Sequence, residues 1–266
     1  MTPQYARAFD DLYQGASNYR MWGRLGWREI RRRYRRTFLG PFWSSFNVAV
    51  MVFSMGFLWA ALFNQPVGDY MPYLAGGIIT WTFLSACMSE GATVFTSSAG
   101  LITTIRLPQS LLIMTMVWRN MIVFFHNLLI FLVVMLFWRV PVTSNTILFL
   151  PGIVLIALNG VWMATILGLV SSRFRDIPQL LTGLITIAMF LTPVMWSRDI
   201  LKGHEAIAYT VDYNPFFHLM EVVRAPLLGK APSMLSWAVV ILMIPLGAAV
   251  AMYFSSRFRQ RVAYWL

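Results

Sequence analysis

Six long stretches of apolar residues divide this chain. An α-helix rises about 1.5 Å per residue and needs about 20 residues to cross the hydrocarbon core of a bilayer. The stretches that come close to this length are residues 42–63, 72–95, 108–138, 147–171, 178–196 and 234–254. We therefore predict an all-α polytopic membrane protein, whose six transmembrane helices form one domain over residues 42–266.

The arm that precedes the first span, residues 1–41, carries an amphipathic pattern. Its apolar residues recur at steps of three and four, which places them on one face of a helix, at Trp27, Ile30, Tyr34 and Phe38. The other faces carry Arg31, Arg32, Arg33, Arg35 and Arg36. Such a helix is typical of the membrane interface, where arginines approach anionic headgroups. A simple topological anchor is the alternative, but it explains the charge and not the stripe.

The basic residues are distributed unevenly about the six spans. Nine of the 21 Lys and Arg residues lie in the arm, and with the arm inside, fifteen fall on the inner side against five on the outer side. Because Lys and Arg beside a span stay in the cytoplasm, both termini are predicted to be cytoplasmic. The net charge of +11 is then a topology signal, and no nucleic-acid partner is predicted.

Composition narrows the class further. Hydrophobic residues make up 58% of the chain and charged residues only 12%, which excludes an ordinary soluble domain. The single cysteine, Cys87, lies in an apolar span and excludes an intrachain disulfide. Since no apolar run precedes residue 42, we expect the first span to act as its own insertion signal.

Three ionisable residues fall inside the spans, where each costs about 2.5–3.5 kcal/mol on insertion scales. Glu90 and Arg119 stand at similar depths near the cytoplasmic ends of the second and third spans, so we predict an ion pair between them. The alternatives are that Glu90 reaches cytoplasmic water and that Arg119 snorkels or faces an aqueous cavity. His126 shares a helical face with Arg119 and is expected to be hydrogen-bonded structure. The third span, with 31 residues, is expected to begin in the cytoplasm.

The outer connection, residues 197–233, contains a further helical pattern. Asn214 suits an N-cap and Pro215 a first helical position, and an apolar run follows until Pro226. A helix of about 16 Å cannot cross a membrane, so it should lie in the outer interface or enter the membrane as a re-entrant element. A plain surface loop is the third possibility.

Catalytic and nucleotide-binding motifs are missing. Lys230 follows Gly229, but Arg224 replaces the first glycine of a P-loop and Ala231 its Ser or Thr. The sequence also lacks a His-Glu-x-x-His helix, paired Cys ligands and a G-x-S-x-G elbow. We predict no catalytic residue, no metal site and no cofactor bound by this chain.

Four motifs together resemble a known family. The basic run of the arm continues as Thr37-Phe38-Leu39-Gly40-Pro41-Phe42-Trp43, and the connection between the second and third spans reads Gly100-Leu101-Ile102-Thr103-Thr104-Ile105-Arg106-Leu107-Pro108. Later come Phe174-Arg175-Asp176-Ile177 with Thr192-Pro193-Val194, and the run from Asn214 to Gly229. These resemble the membrane subunits of ABC-type polysaccharide exporters, especially for O-antigen, with capsule and teichoic-acid permeases as relatives. The sequence departs from the family at Thr103 and Thr104, where lysines are common.

The resemblance implies partners and roles. The chain would be a permease in the bacterial inner membrane that forms a homodimer and pairs with two ATPase subunits, which would hold ATP and Mg²⁺. Its substrate would be an undecaprenyl-linked polysaccharide. The implied coupling segment, residues 101–108, would dock on the ATPase beside the interface helix through Leu101, Thr103, Thr104, Ile105, Arg106 and Pro108. The implied outer gate includes Asn214, Pro215, Phe216, Phe217, His218 and Glu221.

Aromatic residues in the first and fifth spans are predicted to line a polymer path between two copies, because flat rings can hold sugar C–H faces loosely. They are Phe53, Phe57, Trp59, Phe190 and Trp196. Rings that face lipid or core are the alternative.

A membrane-embedded transferase on lipid-linked sugars is the alternative function, but the cytoplasmic loops offer only Asp176 as an acid beyond the arm. A channel or ion-coupled carrier would need more intramembrane acids than Glu90.

Overall fold

The structure is a computed structural model that describes residues 3–35, 40, 42–105, 107–198 and 205–266. These residues form helices and turns without a strand. The helices are α1 (Pro3–Ser17), α2 (Tyr19–Arg33), α3 (Phe42–Leu62), α4 (Val67–Ser97), α5 (Ala99–Thr104), α6 (Gln109–Trp138), α7 (Phe149–Arg173), α8 (Ile177–Leu191), α9 (Glu205–Asp212), α10 (Pro215–Leu227), α11 (Met234–Phe258) and α12 (Val262–Trp265). Two 3-10 helices, Ser144–Leu148 and Arg259–Arg261, precede α7 and α12.

The predicted all-α polytopic fold is confirmed. Among the described residues, α3, α4, α6, α7 and α11 are each long and apolar enough to cross a membrane. The helix α6 is unbroken over 30 residues, or about 45 Å, and therefore exceeds the hydrocarbon core by about 15 Å.

The fifth predicted span, residues 178–196, is only partly helical. Its helix α8 has 15 residues, about 22 Å, and stops at Leu191. Pro193 explains the stop, because a residue that precedes proline is driven out of the helical region, and Thr192 is extended at ψ 137°. Thr192 and the next three residues are buried in turns.

The helix α4 is the centre of the bundle. It packs against α3, α6, α7 and α10, and most of its residues are buried. Close approach to α7 depends on Gly91, where an added Cβ would lie 2.7 Å from the Cα of Ala164. The surrounding helices α3 and α8 bury far less of their surface, and no residue of α8 is buried.

The arm differs from its prediction. It contains two helices rather than one, and α2 ends at Arg33, so Tyr34 and Arg35 lie in a turn. Arg36 and Phe38 fall outside the described residues. Of the predicted stripe, Trp27 is 51% exposed, whereas Ile30 is buried in the protein. The face of α2 that packs on α6 instead follows the spacing of four from Trp22 through Gly26 to Ile30.

A side chain of α1 caps the N-terminus of α6, the third span. The residue before α6 is Pro108, whose side chain cannot accept a hydrogen bond, so the first amides of α6 need an acceptor from elsewhere. The buried carboxylate of Asp11 accepts from the backbone N–H groups of Gln109 at 2.9 Å and Ser110 at 3.0 Å. Arg259 donates to the same carboxylate at 3.0 Å, which ties the C-terminal end to both helices.

The charge asymmetry and the fold predict a labelling pattern. In a Cys87→Ala background, Val142→Cys should react with a membrane-impermeant thiol reagent in intact cells, because Val142 is 67% exposed between the third and fourth spans on the outer side. Thr104→Cys is exposed at the opposite end and should react only after the cells are opened. Labelling of Thr104→Cys in intact cells would reverse the orientation.

The interhelical cap predicts a stability difference within α1. Asp11→Ala should lower the free energy of unfolding by about 2 kcal/mol, since hydrogen bonds to a charged acceptor and an N-terminal cap are lost together. Asp10→Ala is the matched control, because Asp10 is exposed on the same helix. Thermal unfolding of the purified protein in detergent measures both, and equal melting temperatures for the two variants would exclude the cap.

Candidate functional site

The predicted coupling segment forms the tip of the α4–α6 hairpin. The six-residue helix α5 turns the chain, and Ile105 continues it in extended conformation. Thr103, Thr104 and Ile105 are exposed, with Ile105 at 49%, whereas Leu101 and Pro108 are partly buried. Arg106 lies outside the described residues. An exposed apolar side chain at such a tip favours contact with another protein.

A groove borders the coupling segment. Its volume is about 450 Å³, and it lies between the coupling segment, α1 and the 3-10 turn that follows α11. Ile105 and Pro108 line one side and Asp10 and Arg259 another. The sequence motifs did not predict that α1 and the turn after α11 meet at this groove. The amphipathic pattern of α1 was the signal that could have indicated a contact there.

Four charged residues form a network where α2, α4 and α6 meet. Arg119 of α6 donates to Glu90 of α4 at 2.6 Å, which confirms the predicted ion pair. Arg119 also donates to Glu29 of α2, and Arg33 of α2 donates to Glu90 at 3.2 Å. The Arg119 side chain is only 18% exposed. The two acids and two arginines balance, which offsets the cost of placing these charges beside the apolar spans.

The positions of the network follow from helix lengths. Arg119 lies about 28 Å along α6 from Trp138 at the end of that helix, a distance close to the thickness of the hydrocarbon core. Sequence reasoning missed Glu29 and assigned Arg33 to lipid headgroups. Their spacing of four on α2, beside the stripe through Gly26 and Ile30, was the signal that could have found them.

His126 has a structural environment. Its Nδ1 lies 2.7 Å from the carbonyl oxygen of Ile122 on its own helix, and its ring meets Phe42 edge to face at 5.5 Å. The ring is therefore positioned between α6 and the start of α3. These contacts agree with the expected role as hydrogen-bonded structure.

The helix α10 begins as predicted. The Asn214 side chain accepts from the backbone N–H of Phe216 at 2.9 Å, and Pro215 is the first helical residue. The helix runs to Leu227, one residue past the predicted end at Pro226, because the amide of Leu228 still bonds to the carbonyl of Arg224. Nine of its 13 residues are buried, and it packs among α4, α7 and α11. A plain surface loop is therefore excluded.

Side chains of α10 anchor it to its neighbours. His218 is buried, and its Nδ1 lies 2.9 Å from the hydroxyl of Ser236 at the start of α11. The Phe216 ring meets Trp81 of α4 at 5.7 Å, and the Phe217 ring meets that of His218 at 5.2 Å. The contacts of His218 with Ser236 and of Phe216 with Trp81 hold α10 against α11 and α4.

A buried cation lies at the end of the bundle opposite the predicted coupling segment. Arg224 is 2% exposed, and it donates to the carbonyl oxygen of Pro193 at 2.7 Å and to Glu221 at 2.9 Å. Its guanidinium stands 4.1 Å from the centre of the Tyr73 ring. A cavity of about 430 Å³ opens beside this cluster, with Arg198 and Lys230 in its lining. Arg224 thus joins α10, α4 and the turn after α8.

The predicted path residues occupy two faces. Phe53 and Phe57 of α3 both approach Trp138, at 6.4 and 6.5 Å between ring centres, and Phe57 is 54% exposed. The Trp59 ring contacts that of Phe63 in a tilted arrangement, with 5.1 Å between ring centres. Phe190 of α8 is 62% exposed, and Trp196 donates to its carbonyl oxygen at 3.1 Å. One copy of the chain does not bring the two sets into direct ring contact among the described residues.

Comparison with known proteins gives the family. Residues 21–228 match the family described as ABC-2 type transporter. The chain belongs to this family. An O-antigen export system permease protein RfbA of Myxococcus xanthus is 27% identical over 199 residues, 74% of this chain and 76% of that protein. A protein of the same name from Klebsiella pneumoniae is 22% identical over 192 residues, 71% of this chain and 72% of that protein.

Membership in the ABC-2 family decides between the functional classes. The chain is a multi-pass membrane permease that acts as a transport subunit rather than as an enzyme. The alternative of a membrane-embedded transferase is therefore set aside. For an ABC-2 permease, the exposed coupling segment and the charge network above it are the candidate functional surface.

The network predicts an order of stability losses. Arg119→Gln should lower the free energy of unfolding by about 3 kcal/mol, because it removes the ion pair to Glu29 and leaves Glu90 paired only with the exposed Arg33. Arg33→Gln should have a smaller effect, because the Arg33 side chain is 54% exposed. Thermal unfolding in detergent compares the two variants.

The network also predicts the result of a charge swap. Glu90→Arg combined with Arg119→Glu would place like charges beside Arg33 and Glu29, so the swap should recover little of the loss. Full recovery would mean that Glu90 and Arg119 act as an isolated pair.

Proposed function

We propose that this protein is the transmembrane subunit of an ATP-driven exporter that moves a lipid-linked polysaccharide of O-antigen type across the bacterial inner membrane. It acts as a homodimer with two separate ATPase subunits, and both termini are cytoplasmic. The carrier lipid is undecaprenyl diphosphate, and capsular polysaccharide or teichoic acid is the alternative substrate. ATP and Mg²⁺ bind to the ATPase subunits, in keeping with the missing P-loop.

The observation that carries this proposal is the exposed coupling segment. It stands at the tip of the hairpin formed by α4 and α6, and α4 is the buried centre of the bundle. An adjoining groove of about 450 Å³ offers apolar and charged side chains to a partner. A contact made at Ile105 therefore acts on both helices of the hairpin at once. The names of the relatives in Myxococcus xanthus and Klebsiella pneumoniae support an O-antigen substrate.

The exposed helices support a path between two copies. Within one copy, α8 has no buried residue and α3 buries only one stripe, so both present apolar surface outwards. Phe57 and Phe190 stand on those surfaces. We assign the polymer path to α3 and α8, where aromatic rings hold sugars through their C–H faces while the chain slides.

The docking role of the coupling segment is testable at Ile105. Ile105→Asp should weaken association with the ATPase subunit at least about tenfold, because a buried apolar contact at an interface is commonly worth more than 1 kcal/mol. Val142→Asp is the matched control, since Val142 is exposed on the outer side. Affinity purification of the tagged permease with its ATPase, followed by titration, measures the effect. Equal recovery of the ATPase with both variants would exclude docking at Ile105.

A further inference from the structure

The charge network connects the arm to two spans at one level. Glu29 and Arg33 lie one turn apart on α2, and they bind Arg119 of α6 and Glu90 of α4 respectively. We propose that this network transmits movement of the ATPase-bound surface to the first span, with Glu29 and Arg33 as positioning residues for transport. This inference rests on the proposed function and adds to it the route of coupling inside the permease.

The arm is suited to receive a displacement. The helix α1 lines the same groove as the coupling segment, and Asp11 holds the first amides of α6. The helix α2 then packs tightly on α6, where an added Cβ at Gly26 would lie 2.9 Å from Trp118. A partner that shifts the coupling segment therefore shifts the end of α6 and the arm as well.

The arm is also suited to pass the displacement on. Only eight residues separate Arg33 from Phe42, so α2 and α3 are close neighbours along the chain. The fully buried positions of α3 form a single stripe from Ser45 to Ala60, whereas Phe46, Val50 and Leu58 are exposed on the other side of the helix. A change in the angle of α2 against α4 and α6 thus acts on a peripheral span that can follow it.

The charged residues of the network can exchange ion-pair partners with a small loss of free energy. Arg119 binds one carboxylate on each neighbouring helix, and its buried Nε makes no hydrogen bond to the described residues. The four charges sum to zero, so a slide of α2 exchanges contacts within a neutral set instead of leaving a charge unpaired. Two arrangements of packed elements are what a switching transition requires.

The test separates coupling from folding. In cells that lack the chromosomal gene, Glu29→Gln should be recovered with the ATPase at the wild-type level and should hydrolyse ATP within about twofold of wild type. Surface polysaccharide per ATP hydrolysed should fall about fivefold or more, the size of a typical coupling between two sites. Glu29→Asp keeps the charge and should restore most of this ratio. Asp176→Asn, which removes an exposed cytoplasmic acid, is the matched control and should leave the ratio unchanged.

A second variant keeps the test decisive if Glu29→Gln is poorly inserted. Arg33→Gln breaks the contact to Glu90 at an exposed side chain, and it should lower the same ratio. If recovery of the complex, ATP hydrolysis and export all fall by the same factor, the network is purely structural and the inference is overturned. Unchanged export in both variants would also overturn it. If deletion of the gene leaves surface polysaccharide intact, the proposed function itself fails.

Discussion

A cation placed beside the apolar core of the bundle constrains how this protein is assembled. Arg119 stands on α6 with only 18% of its side chain exposed, and a largely buried charge without a partner costs several kcal/mol. It is neutralised from two sides, by Glu90 of α4 and by Glu29 of α2. Because those acids belong to a neighbouring span and to the arm, one requirement for charge balance brings three helices together. The arm is thereby held against the spans as part of the folded bundle.

The arm illustrates how a strongly basic segment is bound to a protein rather than only to lipid. Its arginines outnumber its acids, yet two of the acids make the contacts that matter for position: Glu29 binds Arg119, and Asp11 caps α6 and binds Arg259. Both contacts end on α6. They lie about 15 Å apart along that helix, so they fix both the angle and the register of the arm.

The sequence predicts the parts of this structure that depend on local chemistry. Apolar length gave the spans, the pair of Asn214 and Pro215 gave the start of α10, and matched depth gave the contact of Glu90 with Arg119. What it did not predict depends on tertiary packing. The face of α2 that meets α6 was not predicted, because a close fit at Gly26 decides it. The length of α8 was overestimated because its apolar run continues past Pro193, where the backbone can no longer remain helical.

The same solution to a buried cation occurs at the other end of α4. Near its N-terminal end Tyr73 lies under Arg224, which also binds Glu221 and the carbonyl of Pro193. Toward its C-terminal end Glu90 binds Arg119 and Arg33. Both ends of α4 are therefore fixed by ionic or cation–π contacts, and its length between them is closely packed. By contrast, α3 and α8 are attached along one side and expose the rest. Closely packed elements switch between discrete arrangements and do not deform continuously. A path beside α4 would therefore change its width more readily by rotation of α3 and α8 around α4 than by bending of α4 itself.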